Sequence, residues 1–212
     1  MRKYALAAMV MAALLALGCA KEETPLLNAG PPESSTLTER WHTLDQMENV
    51  WNERSIVGYD ALLDEDFTFF FALVDVDNGL PIQWDRATEI GAARNMFDPN
   101  YTGERRITDI DLDLQFKPED LEWSEFDPAD AKYDGETWYR TTVNYGFTFE
   151  ADPDWMFINQ RNSKAGYTIR QTNGKWRVVE MHDLGGGSLR SLAMSGAVEK
   201  KTWGGIKALY KE

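Results

Sequence analysis

The stretch DIDLDLQF, residues 109–116, constrains the fold more than any other part of the chain. Aspartates occupy positions 109, 111 and 113, and the residues between and after them are apolar: Ile110, Leu112, Leu114 and Phe116. Because the side chains of a strand alternate between two faces, this pattern predicts a strand with one buried and one solvated face. A calcium loop of the EF-hand type needs Gly at its sixth and Glu at its twelfth position, where a count from Asp109 finds Leu114 and Asp120. We therefore expect a solvated carboxylate face and no metal site.

Helical patterns precede most of the strand patterns along the chain. Apolar residues at helical spacing predict helices over 37–51 and 56–63, and a third helix that begins after Asp85 and ends at Phe97. Strands are predicted for DFTFFFAL (66–73), with Phe67, Phe69 and Phe71 on one face, and for 107–116, 137–150, 163–172 and 175–184. Asn173 and Gly174 predict a tight hairpin between the last two strands. Helices followed by a run of strands indicate an α+β domain.

The chain opens with two cations and an unbroken apolar run from Tyr4 to Ala20. This arrangement is typical of a secretory signal, and the run is shorter than the roughly 20 residues that a membrane-spanning helix needs. The run closes in ALGC, residues 16–19, which resembles the bacterial lipobox. The resemblance implies that residues 1–18 are a signal peptide and that Cys19 carries lipid. Ala20, in place of Asp, favours an outer-membrane lipoprotein that faces the periplasm.

Residues 19–36 are expected to be the lipidated cysteine and a flexible tether. The sequence AKEETPLLNAGPPESST has no hydrophobic periodicity, and a flexible chain of this length spans about 20–25 Å. Loss of Arg2 and Lys3 with the signal leaves 20 basic against 35 acidic side chains, a net charge of −15. Nucleic acid is therefore not an expected partner. Lipidation of the chain's single cysteine leaves no thiol for a disulfide or a catalytic nucleophile.

Three segments resemble the nuclear-transport-factor-2-like superfamily. They are VWNERSIVGYDALLDEDFTFFF, with its turn at residues 52–55, then WDRATEIGAARNMF, and the closing hairpin YTIRQTNGKWRVVEMHDL. The resemblance covers about residues 37–184. It implies a cone-shaped, curved antiparallel sheet wrapped around N-terminal helices. Members include ketosteroid isomerases, polyketide cyclases, dehydratases and non-catalytic binding or dimerisation modules, so the fold alone does not select a function.

A narrower likeness concerns bacterial lipoproteins that pair a lipobox with this domain. These proteins can end in a segment like TWGGIKALY, here Thr202–Tyr210. We expect residues 185–212 to form a glycine-rich exit and a C-terminal arm that docks on the domain or on a neighbouring subunit.

Glu180 and His182 are the candidate catalytic residues. Enzymes of the superfamily usually place one Asp, Glu or His in an apolar cone, where desolvation shifts its pKa. In KWRVVEMHDL, Trp176, Val178, Glu180 and His182 share one strand face. If that face points inward, the pair lines the floor of the cone; in the opposite phase, Val179 and Met181 are buried and the pair is outside. The sequence leaves both phases open.

Aromatic residues are abundant in the predicted elements and suit a hydrophobic or planar ligand. The candidate ligand-binding residues are Tyr59, Phe69, Trp84, Tyr139, Tyr145 and Trp176. The alternative is that these rings fill the core. Two distant histidines do not indicate a zinc site, and DLGGGSLR lacks the ending of a phosphate-binding loop. No cofactor is expected.

Three functions are compatible with these features. The first is non-catalytic binding of a small apolar ligand or an envelope protein by a lipid-anchored domain. The second is a cofactor-free isomerase, cyclase or dehydratase that uses Glu180 and His182. The third is a homodimeric scaffold whose cone is filled by its own side chains. The contents of the cone distinguish the three.

Overall fold

The computed structural model describes residues 39–103, 105–128, 130–152, 155–185 and 197–211. The helices are α1 (Arg40–Asn52), α2 (Ile56–Leu62), α3 (Leu73–Asp77), α4 (Arg86–Phe97) and α5 (Trp203–Lys207). The strands are β1 (Leu63–Phe70), β2 (Gln83–Asp85), β3 (Arg106–Gln115), β4 (Ser124–Phe126), β5 (Trp138–Asp152), β6 (Trp155–Thr172), β7 (Lys175–Asp183) and β8 (Ala197–Lys200). The predicted signal peptide, Cys19 and the tether up to residue 36 lie outside the described residues, as do residues 186–196 of the predicted glycine-rich exit.

The described strands form one curved sheet in the order β2-β1-β7-β6-β5-β3. Neighbours along this order are antiparallel except β1 and β7, which are parallel. Strand β4 continues along β5 beyond the end of β3, and β8 pairs in parallel with the first part of β6. The helices and most of the core lie on one face, which we call the inner face; the opposite one is the outer face. The predicted α+β architecture is confirmed, with a sheet that is mixed where a purely antiparallel one was expected.

The alternation in DIDLDLQF is a strand, as predicted. Ile110, Leu112 and Leu114 are buried in the core, whereas the three aspartates of β3 are exposed. Strand β3 is the edge of the sheet, and α1 covers that edge with polar side chains. Asn52 donates to the carbonyl of Leu112 at 2.9 Å and accepts from its amide at 2.7 Å, and Glu48 accepts from the amide of Leu114 at 2.7 Å. Backbone groups that would otherwise remain open at the edge are thereby satisfied.

The predicted helices are present, and side-chain caps fix where two of them begin. Ser55 accepts a hydrogen bond from the amide of Gly58 at the start of α2, and Asp85 accepts from that of Thr88 at the start of α4. These are ordinary N-cap interactions. The predicted strand at 66–73 begins earlier, at Leu63, directly after α2. Its predicted apolar face is confirmed, with Phe67, Phe69 and Phe71 buried.

The C-terminal arm, residues 201–211, packs into the core between the helices and the inner face of the sheet. Trp203, Ile206 and Lys207 of α5 are fully buried. Trp203 contacts the rings of Trp51 on α1 and Tyr145 on β5, with centroids 5.2 and 5.4 Å apart. The docking of the arm on its own domain, one of the two expectations for this segment, is therefore what the structure contains.

Gly204 lies close against Phe69 and Phe71, so replacement by alanine should loosen the arm. A Cβ atom there would lie 2.7 Å from Cδ1 of Phe71 and 3.2 Å from Cε1 of Phe69. Overpacking of this kind costs about 1–3 kcal/mol. We expect Gly204→Ala to lower the free energy of unfolding, measured by urea denaturation, by that amount.

Gly91 on α4 provides the matched control, because a Cβ atom there meets nothing within 4 Å. Gly91→Ala should raise the free energy of unfolding by about 0.5–1 kcal/mol, the usual gain within a helix. Equal stability of the two variants would contradict the tight docking of the arm.

Candidate functional site

A β-bulge in β7 decides the position of the predicted catalytic pair. Thr168 on β6 pairs with Glu180, but the next residue, Ile169, pairs with Val178, so that Val179 is the extra residue. A bulge of this kind turns two consecutive side chains toward the same face. The side chains of β7 therefore do not alternate regularly along the whole strand, as both alternatives in the sequence analysis assumed.

Glu180 and His182 lie on the outer face, which was one of the two positions that the sequence left open, and not at the floor of the cone. Before the bulge Val178 faces the core, and after it Met181 and Asp183 do so. Val179 instead packs in a small outer cluster with Tyr133 and Trp138.

Glu180 sits in a polar network on this outer face. Its Oε2 accepts hydrogen bonds from Arg140 at 2.8 Å and Thr168 at 2.9 Å, and Nε2 of His182 lies 3.2 Å away. The imidazole of His182 stacks on Phe70, with ring centroids 4.2 Å apart. Burial alone raises the pKa of Glu180, but the hydrogen bonds from His182 and Thr168 and the nearby positive charges outweigh it and lower the pKa to about 2. A carboxylate with so low a pKa is a poor general base near neutral pH.

Asp183 is the carboxylate that β7 directs into the core. It accepts hydrogen bonds from the hydroxyl of Tyr145 at 3.0 Å and from the amide of Gly204 at 2.9 Å. It also accepts one from the amide of Gly185 at 3.0 Å. Burial and the charge of Asp183 raise the pKa of Tyr145 well above its usual value. Asp183 therefore ties the C-terminal arm to the inner face of the sheet.

Glu89 and Lys207 form a second polar centre in the core, and both side chains are fully buried. The ammonium of Lys207 donates to both carboxylate oxygens of Glu89, at 2.9 and 3.0 Å. Nε1 of Trp84 donates to the same carboxylate at 2.7 Å, and the hydroxyl of Tyr59 donates to it as well. The ammonium also lies 3.3 Å from the ring centroid of Phe69. Such full satisfaction of a buried ion pair offsets the cost of its desolvation.

Burial lowers the pKa of Lys207, while the charge and hydrogen bonds of Glu89 act in the opposite direction. Burial and Glu89 raise the pKa of Tyr59 well above its usual value, so its hydroxyl stays protonated and donates.

The predicted ligand-binding aromatics fall into separate groups. Tyr59, Phe69 and Trp84 surround the Glu89–Lys207 pair. Tyr145 contacts Trp203 and Asp183 deeper in the core. Tyr139 and Trp176 contact each other at 5.5 Å and lie with Trp123 around the guanidinium of Arg40. In all three places the rings pack against side chains of the chain itself.

Sequence reasoning missed Glu89, Asp183 and Lys207. A signal for two of them was present in the spacing. Glu89 precedes Ala93 and Met96 by four and seven residues on the inward face of α4, and Lys207 follows Trp203 by four in the arm. A charged residue on a predicted core face indicates a buried partner of opposite charge. The identity of the oppositely charged partner could not be predicted, because it depends on how the C-terminal arm packs against α4.

An open groove of about 630 Å³ lies along β5, where β3 ends and β4 has not yet begun. Its lining includes Phe116, Lys117, Leu121, Thr142, Asn144 and Lys164. Within the described ranges, no three His, Cys, Asp or Glu side chains converge as metal ligands would. None of the described helices has the length and apolarity required to span a bilayer.

The buried ion pair should make stability depend on both of its members together. We expect Lys207→Met, which leaves the Glu89 carboxylate without its cation, to lower the free energy of unfolding by about 3–5 kcal/mol. The double variant Glu89→Gln, Lys207→Met removes both charges and should recover most of that loss. Urea denaturation of the wild type, both single variants and the double variant measures the coupling. A Lys207→Met variant as stable as the wild type would contradict this role.

The depressed pKa of Glu180 should appear in the acid sensitivity of the fold. Its folded-state value of about 2 lies below the unfolded value of 4.5, so its contribution is present above pH 4.5 and is lost as the pH falls toward 2. The shift corresponds to at most about 3 kcal/mol, and solvent screening of the half-exposed Arg140 reduces it. We expect the unfolding free energy of Glu180→Gln to fall less steeply than that of the wild type between pH 5 and pH 2.5. Parallel curves for the two proteins would refute this.

No family model matches the chain, and no curated protein matches it. Solved structures are similar to it. A candidate aromatic ring hydroxylase from Novosphingobium aromaticivorans has a TM-score of 0.50 and 11% sequence identity, over 70% of this chain and 87% of that chain.

Two further solved structures carry fold names. A nuclear-transport-factor-2-like superfamily protein from Salmonella enterica has a TM-score of 0.45 and 13% identity, over 77% of this chain and 99% of that chain. A protein with a cystatin-like fold from Caulobacter vibrioides has a TM-score of 0.43 and 13% identity, over 71% and 88%. At these identities the likeness concerns the fold alone. The sheet topology, with the helices on the inner face, confirms the predicted cone-shaped α+β fold, and the hydroxylase structure shares that fold.

Proposed function

We propose that this protein is a non-catalytic binding protein of the cell envelope, anchored by lipid on Cys19, and that it binds its ligand outside the cone. The observation that carries the proposal is the C-terminal arm. Trp203, Ile206 and Lys207 occupy the space between the helices and the sheet, and all three are fully buried. A small apolar ligand in the same space would have to displace these side chains and separate the Lys207–Glu89 pair.

The polar groups of the core support binding over catalysis. A general base must reach the substrate proton with a free lone pair and a pKa near the working pH. The Glu89 carboxylate already accepts hydrogen bonds from Tyr59, Trp84 and Lys207. The predicted alternative pair, Glu180 and His182, lies on the outer face in a network that lowers the pKa of Glu180.

The envelope location rests on the sequence of the N-terminus. The lipobox-like ALGC at 16–19 supplies Cys19 for lipidation, and residues 20–36 have the composition of a flexible tether. The net charge of −15 after processing disfavours adsorption on anionic headgroups. A tether of about 20–25 Å would hold such a domain away from the membrane surface while Cys19 keeps it at the membrane.

One observation favours a second function, a cofactor-free isomerase, cyclase or dehydratase. Glu89 lies among Tyr59, Phe69 and Trp84, which is the apolar setting in which such enzymes hold a carboxylate. Such an enzyme would need the C-terminal arm to move out of the space between the helices and the sheet. Removal of residues 202–212 would then create proton-transfer activity toward a cyclic ketone that Glu89→Gln abolishes, whereas the binding function predicts no such gain.

Lipid labelling tests the anchoring. We expect the full-length chain, expressed in a bacterium with an outer membrane, to incorporate radiolabelled palmitate and to sediment with outer membranes. Cys19→Ser should lose the label and the membrane association. A wild-type chain that takes up no label, or a Cys19→Ser variant that keeps it, would overturn the lipid anchor.

Native mass spectrometry tests the occupancy of the cone. The protein isolated from its host should have the mass of the lipidated chain with no apolar molecule retained inside. An apolar molecule that is retained by the wild type and lost from Trp203→Phe or Phe69→Leu variants would show that the cone is the binding site.

A further inference from the structure

The groove beside β5 arises from a break in the partners of that strand. The last pair between β3 and β5 joins Gln115 to Asn144, and the first pair between β4 and β5 joins Ser124 to Arg140. Between these two points the chain leaves the sheet at Phe116 and returns at Ser124. The residues of β5 around Thr142 therefore have no partner strand on that side within the described pairing. The segment 116–123 forms a wall beside them.

The groove is large enough for a small organic molecule. Its volume of about 630 Å³ lies within the range of roughly 300–1,000 Å³ that is usual for ligand sites. Phe116 and Leu121 supply apolar surface on the wall, and both are only partly buried against the core. Thr142 and Asn144, exposed on β5, supply a hydroxyl and a carboxamide.

Two lysines distinguish this groove in an otherwise acidic protein. Lys117 and Lys164 both line it, and neither forms an ion pair with a described residue. Many other cations are already bound to carboxylates, in the pairs Arg86–Asp60, Arg106–Asp152, Lys132–Asp66, Arg140–Glu180, Arg170–Asp64 and Lys207–Glu89. The one carboxylate in the lining, Asp120, leaves an excess of positive charge.

The arrangement combines a cationic end with an apolar wall. We propose that the groove binds an organic anion, a carboxylate, sulfonate or phosphate on an apolar ring or chain. The anionic group is held by Lys117 and Lys164, with Thr142 and Asn144 as hydrogen-bond partners, and the apolar part lies on Phe116 and Leu121. This inference rests on the proposed binding function and names its site and ligand class.

Naphthalene-2-sulfonate is a suitable probe, and 2-naphthylmethanol is its neutral counterpart. Titration calorimetry with the full-length protein should give one saturable site for the sulfonate and binding weaker by about tenfold or more for the alcohol. Because an exposed charge pair contributes up to about fivefold in affinity, Lys164→Gln and Lys117→Gln should each weaken sulfonate binding by about that factor. Lys175→Gln, at the hairpin outside the groove, removes the same charge and should leave the affinity unchanged.

Amide chemical shifts locate the bound probe. The sulfonate should perturb the amides of residues 115–117 and 142–144 in the wild type. Equal binding of the alcohol and the sulfonate would overturn the proposal without reference to any variant. Unchanged affinity in both groove variants, or an equal loss in Lys175→Gln, would overturn it as well.

The same spectra separate this proposal from the proposed function. If the probe does not bind, the groove is not an anion site, while palmitate labelling and native mass spectrometry remain valid tests of the proposed function. The probe has entered the cone if it instead perturbs the amides around Glu89 and Trp203 and binds the Lys117→Gln and Lys164→Gln variants as tightly as the wild type. That result would contradict binding outside the cone.

Discussion

The ion pair between Glu89 and Lys207 is the interaction on which the interior of this protein depends. Neither charge could be buried alone, because an isolated ion in the core would cost several kcal/mol. Together, and with Tyr59 and Trp84 completing the hydrogen bonds of the carboxylate, they let α5 lie against α4 inside the sheet. Residues 201–211 thereby fill the space between the helices and the sheet.

The bulge at Val179 decides which carboxylate of β7 faces the core. Without it, Glu180 would face the core together with Val178. With it, Asp183 faces inward and holds the amide of Gly204, while Glu180 faces outward and pairs with Arg140. One inserted residue therefore provides an inner anchor for the arm and an outer polar network on the same strand. Because the arm fills the interior of the sheet, the proposed ligand site lies outside the cone.

Much of the fold followed from local patterns. The alternation around Asp111 predicted β3, the Asn173-Gly174 turn predicted the β6–β7 hairpin, and Asp85 marked the start of α4. These features depend on residues close in sequence, which is why they could be recognised. The position of Glu180 and His182 could not be predicted, for the opposite reason. It required the phase of β7, and that phase changes within the strand at a bulge that leaves no signature in the letters WRVVEMHD.

Local patterns were enough to predict the class of architecture and the strand faces of β1 and β3, and they marked the C-terminal segment with Trp203 and Tyr210 as apolar. Periodicity fixes these properties, since period and hydrophobicity are local. Only the tertiary structure decided what lies inside the cone. The partners Glu89 and Lys207 are 118 residues apart in the sequence. Strands β3 and β4, which are separated by residues 116–123, both pair with β5. Such contacts depend on how distant elements pack, and a single sequence does not record that.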